Sequence, residues 1–109
     1  MVMVLMLNID MEFINGILFV RVNGSLKKTT INIFNDKLIP LIKDSGIKNL
    51  VYNFDNLICI DEDGFNSLLN TYNEILNNNG NLLVVNNKFK LKYFKEVNNE
   101  LSALKILKI

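Results

Sequence analysis

Apolar positions along the chain fall into short strand-like runs and two helical stripes. Residues 1–7 are all apolar and the run breaks at Asn8 and Asp10, predicting a first strand over residues 2–10. The run has no basic leader and no A-x-A-like cleavage site, and it falls far short of the ~20 apolar residues of a membrane span, so a buried strand is expected rather than a targeting segment. Residues 17–22 predict a second strand. Asn15-Gly16 between them is a two-residue hairpin signal, too short for a crossover helix, so the two strands pair antiparallel. Asn23-Gly24 is expected to end the second strand. Thr30 reads as the N-cap of a helix with Ile31, Phe34, Leu38, Leu41 and Ile42 on helical spacing; Pro40 is expected to kink or shorten it, and Ser45-Gly46 to stop it.

Residues 49–54 alternate into another strand, and residues 57–60 form a short apolar run. Phe65, Leu68, Leu69, Tyr72, Ile75 and Leu76 then mark the cleanest amphipathic helix, closed by Asn77-Asn78-Asn79-Gly80 with the glycine past its end. Residues 82–85 read as a strand covered on both faces. Phe89, Tyr93, Phe94 and Val97, with Lys88, Lys90, Lys92 and Lys95 around them, predict a third helix, and residues 104–107 a last short strand. The order β-β-α-β-α-β-α-β describes an α/β fold, one domain over residues 1–109, with a mostly parallel sheet, an antiparallel N-terminal strand and about three helices.

Composition narrows the chemistry. With 109 residues, 50% of them hydrophobic and 21% charged, the chain is ordinary globular protein. A net charge of +1 gives no overall field for nucleic acid or for insertion at an anionic membrane. The chain holds no histidine and one cysteine. That removes the usual general base, the usual nitrogen metal ligand, Ser-His and Cys-His nucleophiles, disulfides and multi-thiolate metal sites. Cys59, inside Ile58-Cys59-Ile60, is expected to be a small core residue, and no phosphate-binding glycine loop of the G-x-x-x-x-G-K-[ST] kind occurs. These features point away from an enzyme and from any cofactor or metal, and the unpaired thiol fits a cytoplasmic protein. Charge is uneven: no basic residue falls between Lys48 and Lys88, while six lysines follow from Lys88 onward. That lysine cluster reads as a solvated face, with a weak dock for an acidic partner as the functional alternative.

The most distinctive local feature is Asp61-Glu62-Asp63-Gly64, where an apolar run meets the second helix. Asp61 suits an N-cap, and Glu62 and Asp63 lie where the exposed N–H groups and helix dipole favour carboxylates. Three adjacent acids repel one another, which is more charge than a cap requires.

From residue 49 to Phe65, this stretch resembles the core signature of STAS domains, and most nearly that of bacterial anti-sigma factor antagonists. In that family an apolar strand and an Asp-containing loop lead to Asp-Ser-Ser-Gly-Leu at a helix start. Residues 18–24 with Leu26 and Thr30 resemble its strand-Gly-x-Leu-Asp-x-x-Thr segment, and residues 80–85 its Gly-x-x-Leu/Val-x-Val strand. The resemblance implies a non-enzymatic module that binds an anti-sigma factor acting also as a serine kinase, which switches the interaction off by phosphorylating the first Ser. By the same resemblance, the partner-facing residues are Lys27, Thr29, Thr30, Asp61, Glu62, Asp63 and Gly64.

The sequence departs from the family where the switch should be. Glu62 stands at the phosphoserine position, Asp63 at the second Ser, and Lys27 where Asp is usual. Neither acid can carry a phosphate ester. Either Glu62 partially imitates the phosphorylated state, or the interface is rebuilt with Lys27 answering the acidic turn, the reading favoured here. A detached STAS subunit of a stress-signalling, anion-transport or lipid-transport assembly is the functional alternative. A receiver domain would need a helix between the first two strands, where Asn15-Gly16 leaves no room. The family's additional C-terminal helix is expected to be absent, and self-association as a homodimer would then cover the apolar strip left there.

Overall fold

A computed structural model describes residues 6–107. Its elements are β1 (Leu7–Ile14), β2 (Ile17–Leu26), α1 (Ile31–Ser45), β3 (Asn49–Asn53), β4 (Leu57–Ile60), α2 (Glu62–Asn77), β5 (Asn81–Val85), β6 (Lys95–Val97) and α3 (Glu100–Ile106). The expected strand over residues 2–10 lies partly outside the described residues; the strand that is seen runs four residues further on. Asn15 and Gly16 both take positive φ, 51° and 80°, as a type I′ turn requires, and β1 pairs antiparallel with β2 over eight residues without a register slip.

The sheet order is β1-β2-β3-β5-β6, with every pair beyond β1–β2 parallel. Asn23-Gly24 does not end β2. Instead the strand changes partner there, pairing with β3 up to Arg21 and with β4 from Gly24 to Leu26. Gly24 sits at φ +108°, and a Cβ on it would lie 2.0 Å from the Met6 carbonyl oxygen, so the register shift needs glycine. β3 and β4 thus act as one strand interrupted at residues 54–56, carrying the chain toward the end of β2.

Helices α1 and α2 cover one face of the sheet, over a core that includes Leu18, Val20, Phe34, Leu38, Tyr52, Leu68 and Ile75. The other face holds Ile17, Phe19, Val51, Leu83 and Val97 under Ala103 and Leu107 of the α3 segment. Pro40 does not shorten α1, which runs regularly to Ser45 and stops at Gly46 in the left-handed region. The buried line of α2 is Gly64, Ser67, Leu68, Thr71 and Ile75, rotated from the expected stripe, so that Leu69 is half-buried and Leu76 exposed. Ser and Thr are affordable on that line because Thr71 donates to the Leu68 carbonyl and accepts from the Tyr52 hydroxyl at 2.7 Å. Helix α2 exits through Asn79, φ 59°, rather than through the expected glycine.

Two expectations for the C-terminal third are reversed. No helix spans residues 89–97; a loop with Asn86, Lys90 and Tyr93 at positive φ leads into strand β6. Phe94 packs into the α1–α2 core against Phe65 and Tyr72, whereas Val97 packs under α3, so the two lie on opposite faces of the sheet. Helical spacing would have put them on one. The segment read as a last strand is the end of α3, capped by the Asn99 side chain on the Ser102 amide. Because this helix covers the second face, the reason for expecting a homodimer there is gone. None of the described helices is long and apolar enough to cross a membrane.

Arg21, the chain's single arginine, ties α3 down. Its guanidinium donates to Glu100 at 2.7 and 2.9 Å, to Asp10 at 2.8 Å and to Glu12 at 3.0 Å, and Asn53 also donates to Glu100. The Arg21 hydrogen bonds, and then the one from Asn53, outweigh desolvation and hold the Glu100 pKa below its ordinary value of 4.5. A carboxyl group depressed in the folded state contributes stability above its unfolded pKa, and that contribution fades as the pH falls through the folded value. Urea unfolding at pH 6 and pH 3.5 is expected to show an acid loss of stability that shrinks in Glu100→Gln; an unchanged loss would contradict this. In the same assay at pH 7, Leu68→Ala should cost about 2–5 kcal/mol, whereas Leu76→Ala should stay within about 0.5 kcal/mol.

Candidate functional site

Parallel neighbours end side by side, so the loops leaving β2 and β4 meet at the carboxyl edge of the sheet, where open α/β folds place their sites. The chain turns there from β4 directly into α2. Asp61 is extended (φ −107°, ψ −174°), and its amide donates to the Leu26 carbonyl at 3.3 Å. One carboxylate oxygen accepts from the Gly64 amide at 2.8 Å, capping α2; the other accepts from the Lys28 amide at 3.0 Å, in the loop after β2. A single carboxylate therefore joins both loops.

The Lys28 bond first, then the Gly64 bond, and more weakly the charge of Lys27, hold the Asp61 pKa below its ordinary value. Lys27 thus acts on Asp61. Among the described residues it makes no ion pair with Glu62 or Asp63, since the ion pairs present are those of Arg21 and of Lys43 with Glu74.

The expected site residues divide by burial. Lys27 is half-buried and Thr29, Glu62 and Asp63 are exposed on one end of the molecule, with Lys28, which sequence reading passed over beside Lys27. Thr30 and Gly64 are not on the surface. Thr30 is 4% exposed; it precedes α1 but does not cap it with its side chain. Its hydroxyl turns back instead, donating to the Ser25 carbonyl at 2.7 Å and accepting from the Lys27 amide at 3.0 Å, which fixes the loop. Gly64 lies where α2 begins against β2, and a Cβ there would come within 2.1 Å of the Leu26 carbonyl oxygen. Its role is close approach of helix to strand.

The β4 strand adds one exposed residue and corrects one reading. Ile58 is 74% exposed: Leu57 pairs with Gly24 and Cys59 with Ser25, so Ile58 is the extra, unpaired residue at the register shift, beside Asp55, Lys88 and Phe89. Cys59 is half-buried rather than core, its thiol 3.2 Å from the Ser25 hydroxyl.

Residues 8–95 match the model of the STAS domain, and the chain belongs to that family. Its fold is similar to the anti-sigma factor antagonist SpoIIAA in its unphosphorylated form, with a TM-score of 0.78 at 16% identity over 94% of this chain and 100% of that one. It is also similar to a putative anti-sigma factor antagonist (tm1081) from Thermotoga maritima, with a TM-score of 0.83 at 12% identity over 93% and 95% of the two chains. An anti-sigma factor antagonist from Mycobacterium paratuberculosis gives 0.76 at 17% identity over 95% and 96%.

Gly64→Ala tests the packing of the turn. The added methyl meets backbone, which cannot swing aside, and overpacking of this kind costs about 1–3 kcal/mol. Urea unfolding should show that loss, and a fully stable Gly64→Ala would contradict the close approach.

Proposed function

We propose that this chain is a non-catalytic binding module of the anti-sigma-factor-antagonist type that acts in transcription regulation. Its docking surface is the exposed turn Glu62-Asp63 with Lys27, Lys28 and Thr29 around it. The observation that carries the reading is the Asp61 carboxylate, which spends both oxygens on backbone amides and so presents the two following acids on a rigid helix start. Preorganised charge of this kind favours a protein partner, because the loops need not be ordered on binding.

The partner on this reading is an anti-sigma factor related to serine kinases, met in the cytoplasm. Glu62 stands exposed at the first position of α2, where the family carries its phosphorylated serine. A carboxylate cannot be esterified by the kinase, so the interaction is unswitched at this position. The surface carries both signs, Lys27 and Lys28 against Glu62 and Asp63, and this favours an interface rebuilt around charge complementarity over a permanent imitation of the phosphorylated state.

The test is calorimetric titration of the full chain with the kinase-type anti-sigma factor of its own host. Binding is expected, and Glu62→Lys should weaken it by about tenfold or more, some 1.4 kcal/mol, with an unchanged circular dichroism spectrum. Incubation with that kinase and ATP should leave residues 61–64 unmodified by mass spectrometry. Absence of binding, equal affinity for Glu62→Lys, or a phosphate in this turn would each contradict the reading.

A further inference from the structure

The opposite edge region of the sheet carries a feature that the acidic turn does not use. Among the described residues β1 is an edge strand of eight residues, longer than the usual five or six, and its pairing with β2 has no bulge. It contains no proline, so its outward N–H and C=O groups form an uninterrupted row. Proteins generally shorten, bend or cover such an edge.

The two faces of β1 differ in chemistry. On the α3 side, Asp10 and Glu12 stand one position apart in alternation, each about half exposed at its side chain. Together with Glu100 they place three carboxylates around one guanidinium, leaving two negative charges uncompensated. On the α1 side, Met11 and Phe13 are exposed, Phe13 at 60%, and they border an open depression of about 460 Å³ completed by Leu18, Leu41, Ser45 and Ile47. One edge therefore offers backbone hydrogen bonds, an apolar seat on one face and negative charge on the other.

We propose that β1 is a second docking surface, which accepts an extended segment of a partner protein in which basic and apolar residues alternate. The added strand pairs with the β1 backbone, its apolar side chains cover Met11 and Phe13 and enter the depression beside Leu41, and its Lys or Arg side chains face Asp10 and Glu12. A second copy pairing through its own β1 is the poorer occupant, because it would bring Asp10 and Glu12 of both chains together with too few cations. The groups that define this surface lie away from the acidic turn: Asp10 pairs with Arg21 and Leu18 borders the depression, five and eight residues before Leu26 along β2, about 17 and 26 Å at the rise of a strand. Both surfaces can be occupied together.

The probe is the blocked heptapeptide Lys-Val-Lys-Leu-Lys-Val-Lys, titrated into the full chain by fluorescence anisotropy, with amide hydrogen exchange to locate it. Expected is binding that weakens with salt, slower exchange in residues 7–14, and an acidic counterpart (Glu for each Lys) at least about tenfold weaker. Methylation of alternate peptide nitrogens should abolish binding. Asp10→Asn and Glu12→Gln should each weaken it by up to about fivefold. Phe13→Ala, which alters an exposed side chain and not the Arg21 cluster, should weaken it as well, while Glu62→Lys leaves it unchanged. No binding, equal binding of the two peptides, protection outside β1, or a dimer of the chain that Phe13→Lys dissolves would each overturn the proposal.

Discussion

The architecture of the site turns on the carboxylate of Asp61. An N-cap ordinarily satisfies one orphan donor of its own helix, but this one also receives the amide of Lys28, 33 residues earlier in the chain. Two loops that leave neighbouring parallel strands are thereby fastened by a group too short to reach further. Thr30 fixes the first loop from behind through Ser25 and Lys27, and Gly64 lets α2 approach Leu26 closely enough for the double contact. Remove the partner change at Gly24, and β4 no longer delivers Asp61 to the end of β2.

This arrangement separates residues that hold the site from residues that display it. Asp61, Thr30 and Gly64 are spent on backbone geometry, which any binding surface on this fold needs whatever its partner. Glu62, Asp63, Lys28 and Thr29 are left free in the solvent. Substitution at these exposed positions thus leaves the backbone bonds of Asp61 and Thr30 in place.

Much of this was legible because the deciding interactions are local. Asn15-Gly16 specifies its turn through two positive φ angles, and Asp61 its cap through a side chain reaching three residues ahead. The acidic turn and its strand-to-helix setting followed from residues 57–65 alone. What stayed hidden depends on distant neighbours. Thr30 and Gly64 look like surface residues until β2 is placed against them, and the spacing of Phe89, Phe94 and Val97 imitates a helix although Phe94 and Val97 serve opposite faces of the sheet. Arg21 was legible only in part: the two-residue hairpin sets Asp10 opposite it, whereas Glu100 arrives 79 residues later from α3. Asn99 followed by Glu100 was a readable helix start that the apolar run after it obscured.

The joint hold of Asp61 on both loops is most directly tested by following the amide resonances of Lys28 and Gly64 through an acid titration. Both should shift with one shared midpoint, below the ordinary aspartate value of 3.8, and neither should show that transition in Asp61→Asn. Two separate midpoints, or a Lys28 amide indifferent to Asp61→Asn, would show that the loops are not fastened by the same carboxylate.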